Sequence, residues 1–399
     1  MFLDPIRRRN PRLVEAAIAL HQAGRIPANT YLIDLDAVEE NARIIADEAS
    51  RLGLTAFAMT KQMGRNGDYC RAIVRGGIES SVNVDMECVR ATRRAGMRIG
   101  HLGHLVQIPR AEADAASSFA PDFWTVFNDE KAAEAAAASA RSGRTQAMLA
   151  RIQHQGDTFY RGHEGGFASG DIVAVADRID AMDGGRFAGI TTFPALLFDQ
   201  ATRKVAPTPN LATLHGAAEA LARAGRSGVA INAPGTTSAA MLAALADAGA
   251  TQIEPGHGLT GTTPLHAVED LPELPAVVYV SEVSHHHGTD AYCFGGGLYI
   301  DPIFPDYPVR AVVAREPTVA DAALRVVEIP PPAAIDYYGM IDSTSGPTRP
   351  AVGDTVVFGF RPQAFVTRAY TCGVTGLSSG EPSPAAIYDA FGRPADWPL

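Results

Sequence analysis

Residues 56–61 read Ala-Phe-Ala-Met-Thr-Lys, a short apolar run with a lysine at its C-terminal end. A short apolar run of this kind is typical of a buried strand. A hydrated ammonium is a poor filler for such a position, so Lys61 is unusual there. In a desolvated pocket the pKa of a lysine falls, and the neutral amine can form a Schiff base with a carbonyl compound. A surface lysine that ends a strand is the simpler alternative.

Lysine is scarce in this chain, which contains only Lys61, Lys131 and Lys204. Lys131 follows the polar helix start at residues 128–130, and Lys204 stands beside Arg203 in a predicted loop. Both are therefore expected to be solvated. Lys61 is the lysine best placed for covalent chemistry.

Short apolar runs alternate with alanine-rich helical stretches that end at glycine, as at Gly143 and Gly225. Such alternation predicts right-handed βαβ units and a parallel sheet. Eight strands close a (β/α)8 TIM barrel, whereas an open doubly wound sheet is disfavoured because no G-x-G-x-x-G follows the first strand. The predicted strands begin near Thr55, Ser80, Ile99, Phe123, Ala147, Phe187, Gly228 and Thr251.

Beyond about residue 272 the pattern changes to proline-rich joints and short β-branched runs, which predict an all-β domain. We expect an N-terminal helical extension at residues 1–30, a barrel at 31–271 and a C-terminal β domain at 272–399. The apolar run 31–36 has no place in the count of eight strands and is a candidate for the second domain. Strands are predicted at 277–283, 309–314, 323–329, 352–360 and 363–369, and helical spacing returns only at 385–391.

The net charge of -10 argues against nucleic acid or an anionic membrane as a partner. The cysteines are scattered without a C-x-x-C pair, so neither a disulfide framework nor a zinc site is indicated. No apolar run approaches the ~18 residues of a membrane span, and the N-terminus lacks an apolar signal core. We expect a cytoplasmic protein.

In (β/α) barrels the catalytic groups gather where the strands end, and a phosphate is often held after strands seven and eight. His104 follows predicted strand three and is a candidate for contact with the substrate or with the groups around it. Arg65 and Gln107 are candidates of the same kind, although either serves equally well as a wall residue. Other polar residues at strand ends are Asn128, Gln153, His154, Thr191 and Thr192.

Strand seven leads into residues 233–238, which read Ala-Pro-Gly-Thr-Thr-Ser. A glycine lets backbone N–H groups approach an anion, and the hydroxyls of Thr236, Thr237 and Ser238 can donate to it. Ordinary helix N-cap residues are the alternative, because hydroxyl-rich helix starts are common.

Strand eight leads into Glu254-Pro255-Gly256-His257. A carboxylate at an apolar strand end needs a partner, and an arginine of the barrel wall is one possibility. Pyridoxal 5'-phosphate (PLP) would use every group noted so far. Its aldehyde would bind Lys61, its phosphate the loops after strands seven and eight, and its ring nitrogen Glu254.

These features resemble the fold-type III PLP-dependent enzymes, the alanine racemase and ornithine decarboxylase superfamily, and within it the YhfX group of racemase-like proteins. The resemblance covers the chain from Tyr31 to the C-terminus and implies an alanine racemase-like barrel with a C-terminal β domain. In Glu254–His257 the position of the decarboxylases' phosphate-binding arginine is held by His257. The matching stretches are residues 31–36 with 40–41, 60–61, 232–238 and 254–257.

The predicted second domain carries its own matches. Residues 281–297 resemble the stretch that bears the racemases' catalytic tyrosine, which implies that role for Tyr292. Residues 353–359 resemble a racemase β-domain strand, and Tyr370 falls near their phosphate-contacting tyrosine. Adjacent histidines at 285–287 point to opposite faces of a strand and lack a carboxylate at suitable spacing, so no metal site is predicted.

Two departures bear on the reaction. Alanine racemase has arginine where this chain has Glu254, and the decarboxylases' Cys-Asp pair is missing around Cys293 and Cys372. A carboxylate about 4 Å from a pyridinium contributes on the order of 4 kcal/mol at an effective dielectric near 20, so the ring nitrogen should stay protonated.

The resemblance implies an amino-acid racemase or epimerase in which Lys61 and Tyr292 exchange the α-proton on opposite faces. We expect a homodimer with shared active sites, in which Tyr292 serves its own site or the partner's. A PLP-dependent decarboxylase or other lyase is the alternative. A non-catalytic PLP carrier and a PLP-free barrel for another phosphorylated compound are weaker ones.

Overall fold

The structure is a computed structural model that describes residues 1–299 and 301–397. Its helices are α1 (Leu3–Arg9), α2 (Pro11–Gln22), α3 (Leu35–Arg51), α4 (Gly67–Arg75), α5 (Met86–Arg94), α6 (Ala113–Ser118), α7 (Asp129–Arg141), α8 (Ile172–Asp180), α9 (Pro209–Arg223) and α10 (Leu242–Asp247).

Its strands are β1 (Thr30–Asp34), β2 (Thr55–Ala56), β3 (Ala58–Met59), β4 (Ser80–Asn83), β5 (Arg98–Leu102), β6 (Phe123–Val126), β7 (Gln146–Gln153), β8 (Phe167–Ala168), β9 (Gly185–Thr191), β10 (Leu196–Asp199), β11 (Lys204–Pro207), β12 (Ala230–Asn232), β13 (Gln252–Ile253), β14 (Val277–His287), β15 (Asp290–Phe294), β16 (Arg310–Ala314), β17 (Leu324–Glu328), β18 (Tyr338–Asp342), β19 (Thr355–Phe358), β20 (Tyr370–Thr375) and β21 (Ser383–Tyr388).

The chain divides into two compact units, which are described separately. The first, here called the barrel unit, consists of Arg43–Thr60 and Gly77–Gly256. The second, the β unit, consists of Met1–Ala42, Lys61–Gly76 and His257–Leu399.

The barrel unit is built on parallel strands in the order β2-β13-β12-β9-β7-β6-β5-β4-β3. Because β2 and β3 are halves of one strand separated by Phe57, this order returns to its starting point. Phe57 N–H donates to Ile253 O, and Met59 N–H donates to Pro255 O, each at 2.9 Å, so the first strand continues alongside the eighth. The predicted (β/α)8 barrel is confirmed, with each strand beginning within two residues of its predicted start.

One face of every barrel strand points inward. The inner residues Phe57, Met59 and Val82 form an apolar cluster with Val84 and Cys88. Toward the carboxyl ends of the strands the inner positions become polar. These include His101, Thr125, Arg151, Thr191, Asn232 and Glu254. A buried polar layer at this end is where such barrels place their chemistry.

The β unit contains a sheet in the order β15-β18-β17-β16-β19-β14-β1-β20-β21, in which β14 also pairs with β15. Helices α1 and α2 pack their apolar faces against it. Ile6, Leu13 and Ile18 have no exposed surface and share one cluster with Val278 and Val357. At about 25 cal/mol per Å² of apolar area, this cluster is a main source of the unit's stability.

Strand β1 lies inside this sheet, antiparallel to β14 and parallel to β20, and all five of its residues are buried. It ends two residues earlier than predicted, since α3 begins at Leu35. Asp34 accounts for the difference because its Oδ1 accepts a hydrogen bond from the N–H of Ala37 at 3.1 Å and so caps the helix.

Two predictions for the β unit are wrong. Residues 363–369 contain the 3-10 turn Ala364–Val366 rather than a strand. The helical spacing at 385–391 does not produce a helix, because Ser383–Tyr388 forms β21 against β20. Pairing of β21 with a neighbouring strand outweighs the helix propensity of its alanines. In the described part of the chain, no helix combines the length and apolar character needed to cross a bilayer.

Candidate active site

The barrel unit buries one carboxylate at the end of its eighth strand. Glu254 directly follows β13, and its side chain is 2% exposed. Its Oε1 lies 2.6 Å from Nδ1 of His101 and accepts a hydrogen bond from Nδ2 of Asn232 at 3.1 Å. Its Oε2 lies 3.2 Å from Nε2 of His104. The carboxylate that was expected to need a partner is held by two imidazoles and an amide rather than by an arginine.

The surroundings of Glu254 keep it ionised. Burial alone would raise its pKa, but the charges of His104 and His101 and the hydrogen bonds from His101 and Asn232 together lower the pKa below its usual value. A carboxylate at this position therefore offers a fixed negative charge at neutral pH.

His101, His104 and Glu254 also have the composition of a metal site, with donor atoms within 4.8 Å of one another. The 2.6 Å separation between Nδ1 of His101 and Oε1 of Glu254 is that of a charge-assisted hydrogen bond. A proton lies between two atoms so placed, and an ion would have to displace it. The geometry describes a hydrogen-bonded cluster.

The loop after strand seven contains the predicted phosphate-binding hydroxyls. Ser238 is fully buried, and its Oγ has no hydrogen-bond partner. Thr237 donates to Gly235 O at 3.3 Å, and the N–H of Thr236 donates to Leu196 O at 3.1 Å. Ser238 therefore has a donor available to a ligand, whereas the other two contribute contacts that shape the loop. The helix that follows, α10, has only six residues.

Arg151 is a second buried charge on the barrel unit, and no pattern in the sequence predicted it. It is 1% exposed at an inner position of β7, and its guanidinium lies 4.7 Å from the ring centroid of Phe127. Nη2 donates to His163 O, whereas Nε and Nη1 have no hydrogen-bond partner. Burial lowers the pKa of Arg151 to about 10, so it remains cationic at neutral pH.

Two polar residues that follow barrel strands, Gln107 and Asn128, serve the fold. Gln107 donates to Gly103 O and Thr125 O and accepts from Phe127 N–H, so it fastens one loop to backbone. Asn128 caps α7 by accepting from the N–H of Lys131. Gln107 therefore has the contacts of a wall residue.

In the β unit, Lys61 begins the 3-10 turn Lys61–Met63, two residues after β3 ends. Its Nζ lies 5.3 Å from the ring centroid of Phe365, and the buried guanidinium of Arg65 lies 5.5 Å from the same ring.

The other two lysines have surroundings different from those predicted. Lys131 donates to Ile108 O and pairs with Glu134, so it is less solvated than predicted, and Lys204 is exposed on β11 rather than in a loop.

His257 belongs to the same unit and begins the 3-10 turn His257–Thr260. Its Nδ1 lies 3.2 Å from Oγ1 of Thr262, and its Nε2 lies 3.3 Å from Nε2 of Gln363. Burial and the nearby charges of Arg361, Lys61 and His266 hold its pKa well below the usual value. The imidazole is therefore neutral at pH 7. The preceding residue, Gly256, closes the barrel unit and is partly exposed.

The two predicted tyrosines lie on strands of the β unit. Tyr292 on β15 is partly buried, stacks on His285 at 4.6 Å between ring centroids and lies 6.3 Å from Tyr338. Tyr370 begins β20 and packs on the apolar cluster of the β unit. In the adjacent histidine run, Nε2 of His286 lies 2.8 Å from Pro350 O. The catalytic and cofactor roles given to these tyrosines remain predictions.

Comparison with known proteins identifies the class first. Residues 33–264 match the model of the alanine racemase N-terminal domain, and residues 278–383 match that of the YhfX-like C-terminal domain. The chain therefore combines an alanine racemase-like barrel with a C-terminal all-β domain, and members of that class depend on PLP.

The particular family follows from a full-length relative. The chain is 38% identical over 400 residues to the uncharacterized protein YhfX of Escherichia coli (strain K12), which covers 98% of this chain and 99% of the relative. This chain belongs to the YhfX family, as the sequence predicted.

Solved structures share the fold at low identity. D-threonine aldolase from Filomicrobium marinum has a TM-score of 0.69 at 18% identity and covers 93% of this chain and 96% of its own. Alanine racemase of Clostridium difficile 630, in complex with cycloserine, has a TM-score of 0.61 at 12% identity, covering 92% and 99%. D-threo-3-hydroxyaspartate dehydratase from Delftia sp. HT23 has a TM-score of 0.63 at 15% identity, covering 90% and 97%.

The side chains present are of the chemical types that bind PLP. The barrel unit offers a carboxylate oxygen, Oε2 of Glu254, and a buried hydroxyl, Oγ of Ser238, that both lack a hydrogen bond of good geometry. Buried polar atoms in native proteins are nearly always satisfied, so these two indicate a polar ligand. In the β unit, Lys61 carries an amine and His257 a neutral imidazole.

Proposed function

We propose that this chain is a PLP-dependent amino-acid racemase or epimerase. The supporting observation is Glu254, a buried carboxylate kept ionised by His101, His104 and Asn232. A fixed anion at the end of strand eight is suited to a protonated ring nitrogen. Bound PLP supplies a sink for the electron pair left when the α-proton of an amino acid departs.

In this proposal each residue has a separate role. The ε-amine of Lys61 would hold PLP, and as a free amine it would remove the α-proton of the substrate from one face. The phenol of Tyr292 returns a proton to the other face. The phosphate of PLP would be held by Ser238, with Thr236, Thr237, Gly256, His257 and Tyr370 as further candidate contacts.

Tyr292 needs help to act as a base, because the reference pKa of a tyrosine is about 10. A neighbouring imidazole could stabilise the tyrosine anion, but that of His104 contacts Glu254. His285, stacked on Tyr292 at 4.6 Å, is the better candidate.

A homodimer in which Tyr292 serves its own site or the partner's is part of the proposal, and sedimentation velocity tests the assembly.

A PLP-dependent lyase is the second candidate. Structures of similar fold include an aldolase and a dehydratase, and one fold supports several reactions. An ionised Glu254 would favour any reaction that leaves electrons on the cofactor, which is why it does not by itself select racemisation. Decarboxylation is the less favoured lyase reaction, since the decarboxylases' Cys-Asp pair is missing.

The deciding experiment incubates the purified full-length chain, loaded with PLP, with single L- and D-amino acids in deuterated water. Deuterium at the α-carbon together with the opposite enantiomer, read by chiral chromatography and mass spectrometry, supports a racemase. An amine, an aldehyde with glycine, or a 2-oxo acid with ammonia selects a decarboxylase, an aldolase or a dehydratase in turn. Loaded protein that exchanges no α-proton of any amino acid overturns the proposal.

A further inference from the structure

The two oxygens of Glu254 have different surroundings. Oε1 accepts from His101 at 2.6 Å and from Asn232 at 3.1 Å, which uses both of its lone pairs. Oε2 lies 3.2 Å from Nε2 of His104 but has no hydrogen bond of good geometry. The carboxylate is thus anchored through one oxygen and retains acceptor capacity on the other.

The partners of His101 determine where its proton lies. Its Nε2 is hydrogen-bonded to the hydroxyl of Thr125, which can donate to that nitrogen. Nδ1 then carries the proton and donates to Glu254. The imidazole has no exposed surface, and these two contacts give each of its nitrogens a hydrogen-bond partner.

A second set of contacts fixes Asn232. The hydroxyl of Thr191 donates to Oδ1 of Asn232 at 2.7 Å, which turns the amide NH2 toward Glu254. The anchored oxygen is therefore held through β5 and β6 on one side and β9 and β12 on the other. The titratable groups acting on Glu254 are His104, in the loop after β5, and His101.

We propose that His101 is a positioning residue that keeps Glu254 ionised and directs its Oε2 toward the ring nitrogen of the cofactor. This inference rests on the proposed function and deepens it. A proton shared by a carboxylate and a pyridine nitrogen resides on the more basic partner. Because the hydrogen bonds on Oε1 make the carboxylate less basic, they hold that proton on the nitrogen.

The first test uses infrared spectroscopy of the full-length chain without added cofactor, because a protonated carboxyl group has a distinct C=O band. Each variant is compared with the same variant carrying Glu254→Gln, which isolates the band of Glu254. We expect wild-type protein to show no such band at pH 7. In His101→Leu the band should persist to higher pH than in wild type, with the titration midpoint of Glu254 raised by at least about one pH unit, a tenfold change in the ionisation equilibrium.

Three further variants separate positioning from general damage. His101→Asn should behave as wild type, because an asparagine amide can occupy the place of Nδ1–H. His101→Gln, whose amide reaches the place of Nε2, should behave like His101→Leu and serves as a second loss variant if the leucine protein does not fold. His266→Asn alters another buried histidine–glutamate pair, 3.4 Å from Glu273, and should leave the band of Glu254 unchanged.

The second test reads the cofactor nitrogen directly, by nuclear magnetic resonance of PLP labelled with nitrogen-15. The wild-type shift should be that of a protonated ring nitrogen at pH 7, and His101→Leu should move it toward the unprotonated value. A protein that binds no PLP refutes the proposed function but leaves the infrared result standing.

Two outcomes overturn the inference. One is a titration midpoint of Glu254 that is the same as in wild type in both loss variants. The other is a stoichiometric divalent ion in the purified protein that a chelator removes and that His101→Leu fails to bind, because the cluster would then be a metal site.

Discussion

The ammonium of Lys61 lies 5.3 Å from the ring centroid of Phe365. Attraction between a cation and an aromatic face contributes about 0.5–1 kcal/mol at exposed sites and more where water is excluded. Arg65 lies against the same ring, at 5.5 Å, and its φ of 55° places it in the left-handed region. The sequence predicted Lys61 but gave no sign of the ring that orients it.

Replacing Lys61 should abolish covalent attachment of PLP. Borohydride treatment followed by peptide mass spectrometry should place the cofactor on Lys61 in wild type and nowhere in Lys61→Ala. Exchange of the substrate α-proton should fall by at least about a hundredfold, as expected for loss of a catalytic base. Lys204→Ala, at an exposed position of β11, is the matched control. Attachment that persists in Lys61→Ala would contradict the assignment.

Ser238→Ala should weaken PLP binding by about tenfold, the effect of losing one hydrogen bond to a charged phosphate. The free energy of unfolding without cofactor should stay level or rise, because a buried hydroxyl without a partner is removed. Ser139→Ala is the control, since its hydroxyl is also buried but lies on α7, 3.3 Å from Oγ of Ser117, so its loss should affect stability and leave PLP binding unchanged. Equilibrium dialysis and urea unfolding measure the two effects. An unchanged dissociation constant in Ser238→Ala would remove this residue from the phosphate site.

Tyr292→Phe should separate exchange from inversion. One enantiomer should still exchange its α-proton for deuterium through Lys61, whereas formation of the opposite enantiomer should fall by about 10²–10⁴-fold. Tyr338→Phe removes the hydroxyl of a neighbouring ring and should change neither rate substantially. Inversion at the wild-type rate in Tyr292→Phe would show that another residue returns the proton.

His257 should make stability depend on pH in a defined direction. Burial and the charges of Arg361, Lys61 and His266 lower its pKa in the folded state, so the unfolded chain binds a proton that the folded chain does not. The free energy of unfolding should therefore fall as the pH drops below about 6.5, the pKa of histidine in the unfolded chain, and should stay constant above that pH. His257→Gln should lose this dependence in urea titrations between pH 5 and pH 8. An equal dependence in both proteins would mean that other groups cause it.

The barrel could be predicted because its signals are local. Each strand is a short apolar run, and most of the barrel helices end within a few residues of a glycine, so the predicted strand starts lie within two residues of the observed ones. The strands of the β unit were harder to predict, because they are defined by pairing with strands far away in the chain. Tyr338–Asp342 pairs with Asp290–Phe294, and neither was predicted as a strand.

The residues of the candidate site also fall into those that the sequence predicted and those that it did not. Lys61 and Glu254 stand out in the sequence because each is a charged residue at the end of an apolar strand. The residue type of the partner of Glu254 could not be predicted, because the choice between an arginine and His101 depends on the register of the strands. His101 and His104 are three residues apart across the end of β5, and only the turn after that strand brings both rings to one carboxylate. Arg151 gave no signal, because arginine is common in this chain.

The position of β1 between β14 and β20 has a consequence for synthesis. This strand leaves the ribosome within the first few dozen residues, yet its two neighbours are translated more than two hundred residues later. Until then its backbone edges stay open to unwanted pairing, so assembly of that sheet must await nearly the whole polypeptide. Fragments cut near residue 272 would divide a sheet rather than release an independent module.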